Sequence, residues 1–233
     1  MSPIIQCRAV EKVYRQGAVP VPALRGVDLD IERGDFASLA GPSGSGKTTL
    51  LTLMGGLDRP SSGEVAVDGQ AITRLDSTRL ADLRLHKIGF VFQIYSLIPV
   101  LSAIENVEFI LRLLGLPQAE CAIRAAQVLR DVGLEGLEQR RPSRLSGGQQ
   151  QRVAVARALA PKPAIVLADE PTANLDSRNA EELISLMAQL NAASGTTFLI
   201  ATHDSRVIAR THRHIEMTDG RISADERIGA AGP

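Results

Sequence analysis

The chain has 233 residues, which suits one sizeable domain or a core carrying an inserted lobe. Lys plus Arg and Asp plus Glu number 26 each and aromatics make up 3%, so there is neither a global basic field nor a set of stacking platforms for nucleic acid. Cys7 and Cys121 lack metal-ligand spacing and fit a cytosolic protein. Residues 1–20 hold no basic-then-apolar leader, and the apolar stretch 90–116 is too interrupted by Gln93, Pro99, Glu105, Asn106 and Arg112 to span a bilayer.

Residues 4–13 and 23–31 alternate as strands, separated by a Gly- and Pro-rich stretch that reads as a loop. Residues 36–40 form a short apolar strand running straight into Gly41-Pro42-Ser43-Gly44-Ser45-Gly46-Lys47-Thr48, a match to G-x-x-x-x-G-K-[ST]. Residues 47–55 follow as a helix, and strand–loop–helix is the context a phosphate-binding P-loop requires. Its glycines let main-chain N–H groups close around phosphates, Lys47 reaches the β and γ oxygens, and the Thr48 hydroxyl is placed for Mg²⁺, with Thr49 beside it. Chance yields the pattern in about one chain of this length in a hundred, so it carries weight. Ser61-Ser62-Gly63 makes a turn, 64–67 an edge strand, Asp68-Gly69 a turn, 77–86 a helix, and 88–92 a buried strand ending at Gln93.

From about 94 to 160 the periodicity becomes helical, with helices at 103–114 and 118–132 parted by Pro117. This stretch reads as a helical subdomain inserted between core strands. Ser146 then N-caps a helix that runs to 160 and is closed by Pro161 and Pro163. That helix opens in Leu145-Ser146-Gly147-Gly148-Gln149, where free N–H groups and the positive dipole end meet at one spot. It is a second anion cradle. One nucleotide needs one cradle, so a chain with two points to a site shared between subunits. Residues 164–168 form a wholly apolar strand ending in Asp169-Glu170, as in the middle of a parallel sheet. Next come an amphipathic helix at 177–193, a strand at 196–201, a short helix near Asp204, and a hairpin of 214–217 and 221–223 around Asp219-Gly220. Residues from about 225 to 233 read as a frayed tail.

A P-loop followed by LSGGQ resembles the ATP-binding-cassette (ABC) ATPases, the motor subunits of ABC transporters, over nearly the whole chain from Tyr14 to about Arg221. The resemblance implies a single α/β domain: a P-loop NTPase core of mixed sheet and helices, an antiparallel β subdomain and the inserted α-helical subdomain. It implies ATP hydrolysis with Mg²⁺, a homodimer closed around two ATP, an integral membrane permease as partner, and a peripheral place on the cytoplasmic face of the inner membrane. Asp169 becomes the Walker B carboxylate that shares Mg²⁺ with Thr48, and Glu170 the base for the attacking water. Gln93 matches the Q-loop, touching Mg²⁺ and that water. His203 matches the switch histidine on the γ-phosphate, and Asn174-Leu175-Asp176 the D-loop, although Asn-Leu-Asp before a helix is also an ordinary N-cap. Tyr14, 33 residues before Lys47 and read as lying on a loop after the first strand, would stack on adenine. Residues 145–149 would serve the nucleotide of the opposite subunit. His212 and His214 lack a third ligand and read as solvated strand, and Arg140 and Arg141 as charged surface.

Ile88-Gly89-Phe90-Val91-Phe92-Gln93, Glu105-Asn106-Val107 and Met54-Gly55-Gly56-Leu57-Asp58-Arg59-Pro60 look like the lipoprotein-releasing and macrolide-exporting branch. A regulator of septum assembly or cell-wall hydrolases, acting through a membrane partner, fits the same residues. A GTPase lacks its Asn-Lys-x-Asp segment here, a metabolic kinase has no use for LSGGQ, and translation or DNA-repair relatives carry paired cassettes or long coiled-coil insertions. The apolar loop Ile94, Tyr95, Leu97, Ile98, Val100 and Leu101 is expected to line a groove for a short permease helix, or else to fill the lobe core.

Overall fold

Side chains on alternate positions of the central strands feed two separate apolar layers, and this period-two division organises the molecule. The computed structural model describes residues 2–17 and 19–228. Strands β1 (Ile5–Gln16), β2 (Val19–Ile31), β4 (Ser62–Val67) and β5 (Gln70–Ala71) form an antiparallel sheet in the order β2-β1-β4-β5. Strands β3 (Phe36–Ala40), β6 (Ile88–Val91), β7 (Ile165–Asp169), β8 (Thr197–Thr202), β9 (Arg213–Thr218) and β10 (Arg221–Arg227) form the second sheet, ordered β10-β9-β3-β8-β7-β6. Only the β9–β10 pair in it is antiparallel.

Ala37, Leu39, Ile165, Leu167, Leu199 and Ala201 face the antiparallel sheet and α1 (Lys47–Met54). Phe36, Val166, Ala168, Phe198 and Ile200 face the opposite layer, which holds α3 (Ala103–Leu113), α4 (Gln118–Asp131), α5 (Gly147–Leu159) and α6 (Ser177–Ser194). The rings of Phe36 and Phe198 meet edge to face at 5.8 Å, an arrangement contributing about 0.5–1.5 kcal/mol beyond area burial. Two short helices, α2 (Ser77–Lys87) and α7 (Ser205–Ile208), complete the fold. The helical insertion therefore has no core of its own, because Val107, Leu111, Leu129 and Val153 join the sheet residues in one cluster. Among the described residues no helix is long and apolar enough to cross a membrane.

Three expectations are corrected. The Gly- and Pro-rich stretch before residue 23 is strand rather than loop: Pro20 pairs with Arg15 and Pro22 with Val13. Proline is tolerated there because β2 is the outer strand of its sheet. Tyr14 accordingly lies inside β1, opposite Val21. The tail also begins later than expected, since Asp225, Glu226 and Arg227 continue β10 against Ile215, His214 and Arg213; residues 229–233 of the expected tail lie outside the described residues.

An ion network holds that last strand. Arg213, nearly buried, donates to Asp35 at 2.7 Å and to Asp225 at 2.6 and 2.8 Å, and Arg227 reaches the other oxygen of Asp35 at 2.9 Å. Asp225 first and Asp35 after it raise the Arg213 pKa further above its ordinary value. Removing one partner of a buried ion pair strands the other charge. Arg213→Met is expected to lower unfolding free energy by about 3 kcal/mol in a urea titration. A loss below about 0.5 kcal/mol would mean that Arg227 alone satisfies Asp35.

Candidate functional site

Parallel pairing lines up the strand ends that carry chemistry. Ala40 of β3 sits opposite Thr202 of β8, Asp169 of β7 opposite Ala201, and Val91 of β6 opposite Ala168. The residues that follow these ends are Gly41, His203, Glu170 and, after Phe92, Gln93. All leave the sheet at its carboxyl edge, where open α/β sheets bind ligands.

A cavity of about 410 Å³ opens over this edge, lined by P-loop residues Ser43, Gly44, Gly46, Lys47, Thr48 and Thr49 and by Gln93, Glu170 and His203. Ala23 and Ala173, which no motif singles out, complete the wall. A larger cavity of about 540 Å³ lies at the amino ends of β7 and β8 among Arg33, Lys162 and Thr197, and contains none of the expected site residues.

The P-loop is pinned from behind by main chain. At Gly41 (φ +152°) a Cβ would lie 2.2 Å from the Met217 carbonyl oxygen, and at Gly46 (φ +103°) it would lie 2.7 Å from that of Ala23. Only glycine fits either position. Gly220 N–H donates to the Ser45 carbonyl at 3.0 Å, while its own carbonyl accepts from Arg25 N–H at 2.9 Å. The β9–β10 turn thus joins the P-loop to the antiparallel sheet. Lys47 Nζ donates to the carbonyls of Gly41 and Pro42 at 2.8 and 3.1 Å. Ser45 Oγ is buried and has no protein partner. A glycine-shaped cradle and a nearly buried ammonium whose hydrogen bonds go only to carbonyls together fit a polyphosphate.

Thr48 Oγ1 donates to Asp169 Oδ1 at 3.2 Å, which brings together the two oxygen donors expected for a hard divalent cation. Burial holds the Asp169 pKa above the ordinary carboxylate range, the neighbouring Glu170 adds to the rise, and Thr48 and Lys47 oppose it. Glu170 has φ +46°, a left-handed conformation uncommon for a residue with a side chain. It is held there by its N–H to the Ala201 carbonyl at 2.9 Å and by its carboxylate, which accepts from Thr202 Oγ1 at 3.3 Å. His203 Nδ1 lies 2.8 Å from the other carboxylate oxygen. Such strain gathers at functional sites. Asn174 Nδ2 donates to the Gln93 carbonyl at 2.9 Å, and Leu175 is partly buried against the helical layer. Asp176 N-caps α6 by accepting from Asn179 N–H at 2.9 Å; that bond, with the one from the Asn179 side chain, lowers its pKa.

Gly41, Pro42, Ser45, Asp169, Asn174, Leu175 and Asp176 do not themselves line this cavity, and two further groups of expected site residues also stay outside it. Tyr14 is 41% exposed, its hydroxyl donates to Asp58 at 3.3 Å, and the Lys12 ammonium lies 5.0 Å from its ring centre. None of residues 145–149 lines the cavity either. Leu145 is buried, and Ser146 and Gln149 exchange a capping box at the start of α5, at 3.3 and 2.9 Å. The first-turn amides, including Gly148, have no carbonyl within their own helix. A Cβ on Gly147 would press on the Tyr95 hydroxyl and one on Gly148 on the Asn179 side chain, so this cradle is packed onto its neighbours.

Beside the cavity, Leu57, Phe90, Phe92 and Ile110 line an apolar groove of about 280 Å³ between core and helical layer, with the two phenylalanine rings stacked at 5.7 Å. Of the loop after Gln93, Ile94 and Val100 are 76% and 69% exposed. Tyr95 and Leu97 are partly buried, Leu97 against the core. Fully buried Asn106 shapes this loop: its Nδ2 donates to the carbonyls of Ile98, Leu101 and Ser102, and its Oδ1 accepts from Ile98 N–H at 2.8 Å.

The family described as ABC transporter matches residues 24–173. Among solved structures, the chain is similar to the dimeric ATP-binding cassette MJ0796 in a post-hydrolysis state bound to ADP and Pi, with 42% identity over 96% of this chain and 98% of that one and a TM-score of 0.89. A second dimeric structure of MJ0796, described as a bacterial ABC transporter cassette, has 43% identity over the same shares and a TM-score of 0.90. CbiO1 from Clostridium perfringens, part of the transporter complex CbiONQ, has 30% identity over 97% of this chain and 89% of that one, with a TM-score of 0.87.

The position of Asp169 has a measurable cost. Because burial raises its folded pKa, ionised Asp169 destabilises the folded state above that pKa, and the penalty vanishes below the unfolded value of about 4. In nucleotide-free, metal-free buffer, Asp169→Asn is expected to melt above the parent protein at pH 7, with the gap closing as the pH falls towards about 4. Calorimetry across that range checks it, and a lower melting temperature at pH 7 would show that the Thr48 bond outweighs burial.

Proposed function

The chain belongs to the ABC transporter family and hydrolyses ATP, and from that membership we propose that it is the nucleotide-binding subunit of a bacterial transporter, closing as a homodimer around two ATP to drive a membrane permease. One observation carries this reading: the P-loop, Glu170 and His203 converge on one cavity, whereas the second anion cradle of the same chain, at the start of α5, stays outside it. Two chains placed head to tail would set each cradle on the other's nucleotide.

In this reading Lys47 and the P-loop amides bind and orient the β and γ phosphates. Thr48, Asp169 and Gln93 would hold Mg²⁺, which supplies charge neutralisation on those phosphates. Glu170 accepts the proton of the attacking water. His203 keeps Glu170 oriented through its Nδ1 contact and serves as the switch histidine on the γ-phosphate. Tyr14 offers its exposed face to adenine, and Asn174 ties the D-loop to Gln93. The groove beside Phe90 and Phe92, together with exposed Ile94 and Val100 of the loop after Gln93, receives a short permease helix at the cytoplasmic face of the membrane. The segments around Gly89 and Gly55 favour the lipoprotein-releasing and macrolide-exporting branch.

Glu170→Gln keeps size and hydrogen bonding but cannot take the proton. It is expected to bind ATP normally, to lose hydrolysis by about a hundredfold or more, and to run as a dimer in size-exclusion chromatography with ATP and Mg²⁺. Normal turnover, or a monomer at high protein and ATP, would reject the base assignment. Sharing between subunits has its own check. Lys47→Ala and Ser146→Arg chains, each inactive alone, form on mixing one interface in which Lys47 and Ser146 are both intact. Recovered hydrolysis is expected, and a silent mixture counts against the shared site.

Val100→Asp tests the exposed apolar loop as part of that docking face. The isolated chain should keep its melting temperature and its ATP hydrolysis within about twofold, as for surface substitutions elsewhere. It should no longer co-purify with the membrane subunit encoded beside it; unchanged co-purification would place the partner on another face.

A further inference from the structure

The three glutamines after the signature glycines look alike in sequence, but only one turns inward. Gln149 completes the capping box and Gln150 Nε2 donates to the Leu145 carbonyl at 3.1 Å, both within the start of the helix. Gln151 is fully buried. Its Nε2 donates to two main-chain carbonyls far apart in sequence, Pro171 at 2.9 Å and Phe92 at 3.3 Å. Phe92 immediately precedes Gln93, and Pro171 immediately follows Glu170.

The two carbonyls fix the orientation of the amide, because only a donor can face them both. As a consequence Oε1 is buried and has no partner. An unsatisfied buried acceptor is costly, and an apolar side chain in this slot would remove it. The orphan oxygen thus marks a position where the twin donor outweighs complete satisfaction. Other parts of α5 make no hydrogen bond to the residues flanking both Gln93 and Glu170. Arg157 donates to the carbonyls of Ser96 and Tyr95 at 2.5 and 3.2 Å, and Gly147 packs on the Tyr95 hydroxyl. Arg157 grips the loop after Gln93 alone, and Gly147 meets the other side only at Leu175, five residues beyond Glu170. Gln151 joins both.

We infer that Gln151 is a positioning residue for ATP hydrolysis: a pin on the signature helix that sets the spacing between the segment carrying Gln93 and the segment carrying Glu170. Glu170 departs from β7 with a left-handed backbone, and Pro171 next to it has no N–H to anchor the turn by donation. Its carbonyl is the group Gln151 holds. Displacing reacting groups by about 1 Å can reduce turnover up to a hundredfold while the phosphate cradle, on β3 and α1, is untouched.

The inference rests on the assignment of Gln93 and Glu170 above, and the test separates the two. Gln151→Asn carries the same amide one methylene short, Gln151→Met keeps the length without a donor, and Gln151→His returns an N–H at similar reach. Steady-state hydrolysis by the purified full chain is expected to show kcat reduced about tenfold or more in the Asn and Met variants, with KM for ATP within about threefold and unchanged dimerisation in the Glu170→Gln background. The His variant should regain part of the lost kcat, a rescue that simple loss of packing would not produce. Should Met fail to fold, the comparison of Asn with His decides alone. Wild-type kcat in folded Gln151→Asn overturns the inference, as does a loss carried by KM, or unfolding of both Asn and Met, which would make the residue purely structural. If Glu170→Gln itself turns over normally, it is the earlier assignment that fails.

Discussion

In-register parallel pairing of β3, β8, β7 and β6 is the constraint on which the rest of this molecule depends. Hydrogen bonds that set Ala40 opposite Thr202 and Asp169 opposite Ala201 also decide where the P-loop, the acidic pair and His203 emerge. A slip of one residue in any of these ladders would exchange the two apolar layers and move a functional group across the edge. Strands apolar on both faces resist such a slip only if both layers are well packed. The fold meets this demand with an antiparallel sheet and α1 on one side and helices on the other.

The same arrangement explains why core and helical insertion communicate. One hydrophobic cluster runs from Phe198 and Val166 of the sheet into Val107 and Leu129 of the insertion. Above it, contacts concentrate where β6 gives way to the loop after Gln93: Asn174 from the segment after Glu170, Gln151 and Arg157 from α5, Asn106 from α3, with Gly147 of α5 packed on the Tyr95 hydroxyl. Four of these contacts use main-chain carbonyls as acceptors. The path of the segment after Gln93 is therefore fixed through its backbone more than through its side chains, and the exposed apolar residues Ile94 and Val100 lie on it.

Features written in contiguous residues were legible in the sequence. The P-loop, the apolar strand ending in Asp169-Glu170, and the capped helix starting at Ser146 depend on local spacing, and the structure places each where spacing puts it. Features decided by distant main chain were not. Pro20 and Pro22 signal a loop until β2 is known to be an outer strand, and Tyr14 follows them into the sheet. Asp225 to Arg227 look like a polar tail until Arg213 and Asp35 are seen beside them. Gln151 and Asn106 pair chiefly with carbonyls, which every residue possesses, so their side chains leave no pattern for a reader of sequence. All six apolar residues of the loop after Gln93 read alike in the sequence, whereas in the structure exposure falls on Ile94 and Val100.

The P-loop belongs to the first quarter of the chain, yet its shape is set by the last strands. The Met217 carbonyl fills the space beneath Gly41, Gly220 holds Ser45, and β3 is flanked by β8 and β9. During synthesis the phosphate cradle can take its final form only after Gly220 has left the ribosome. Nascent or prematurely terminated chains would then lack the grip on nucleotide that lets a subunit enter a productive pair.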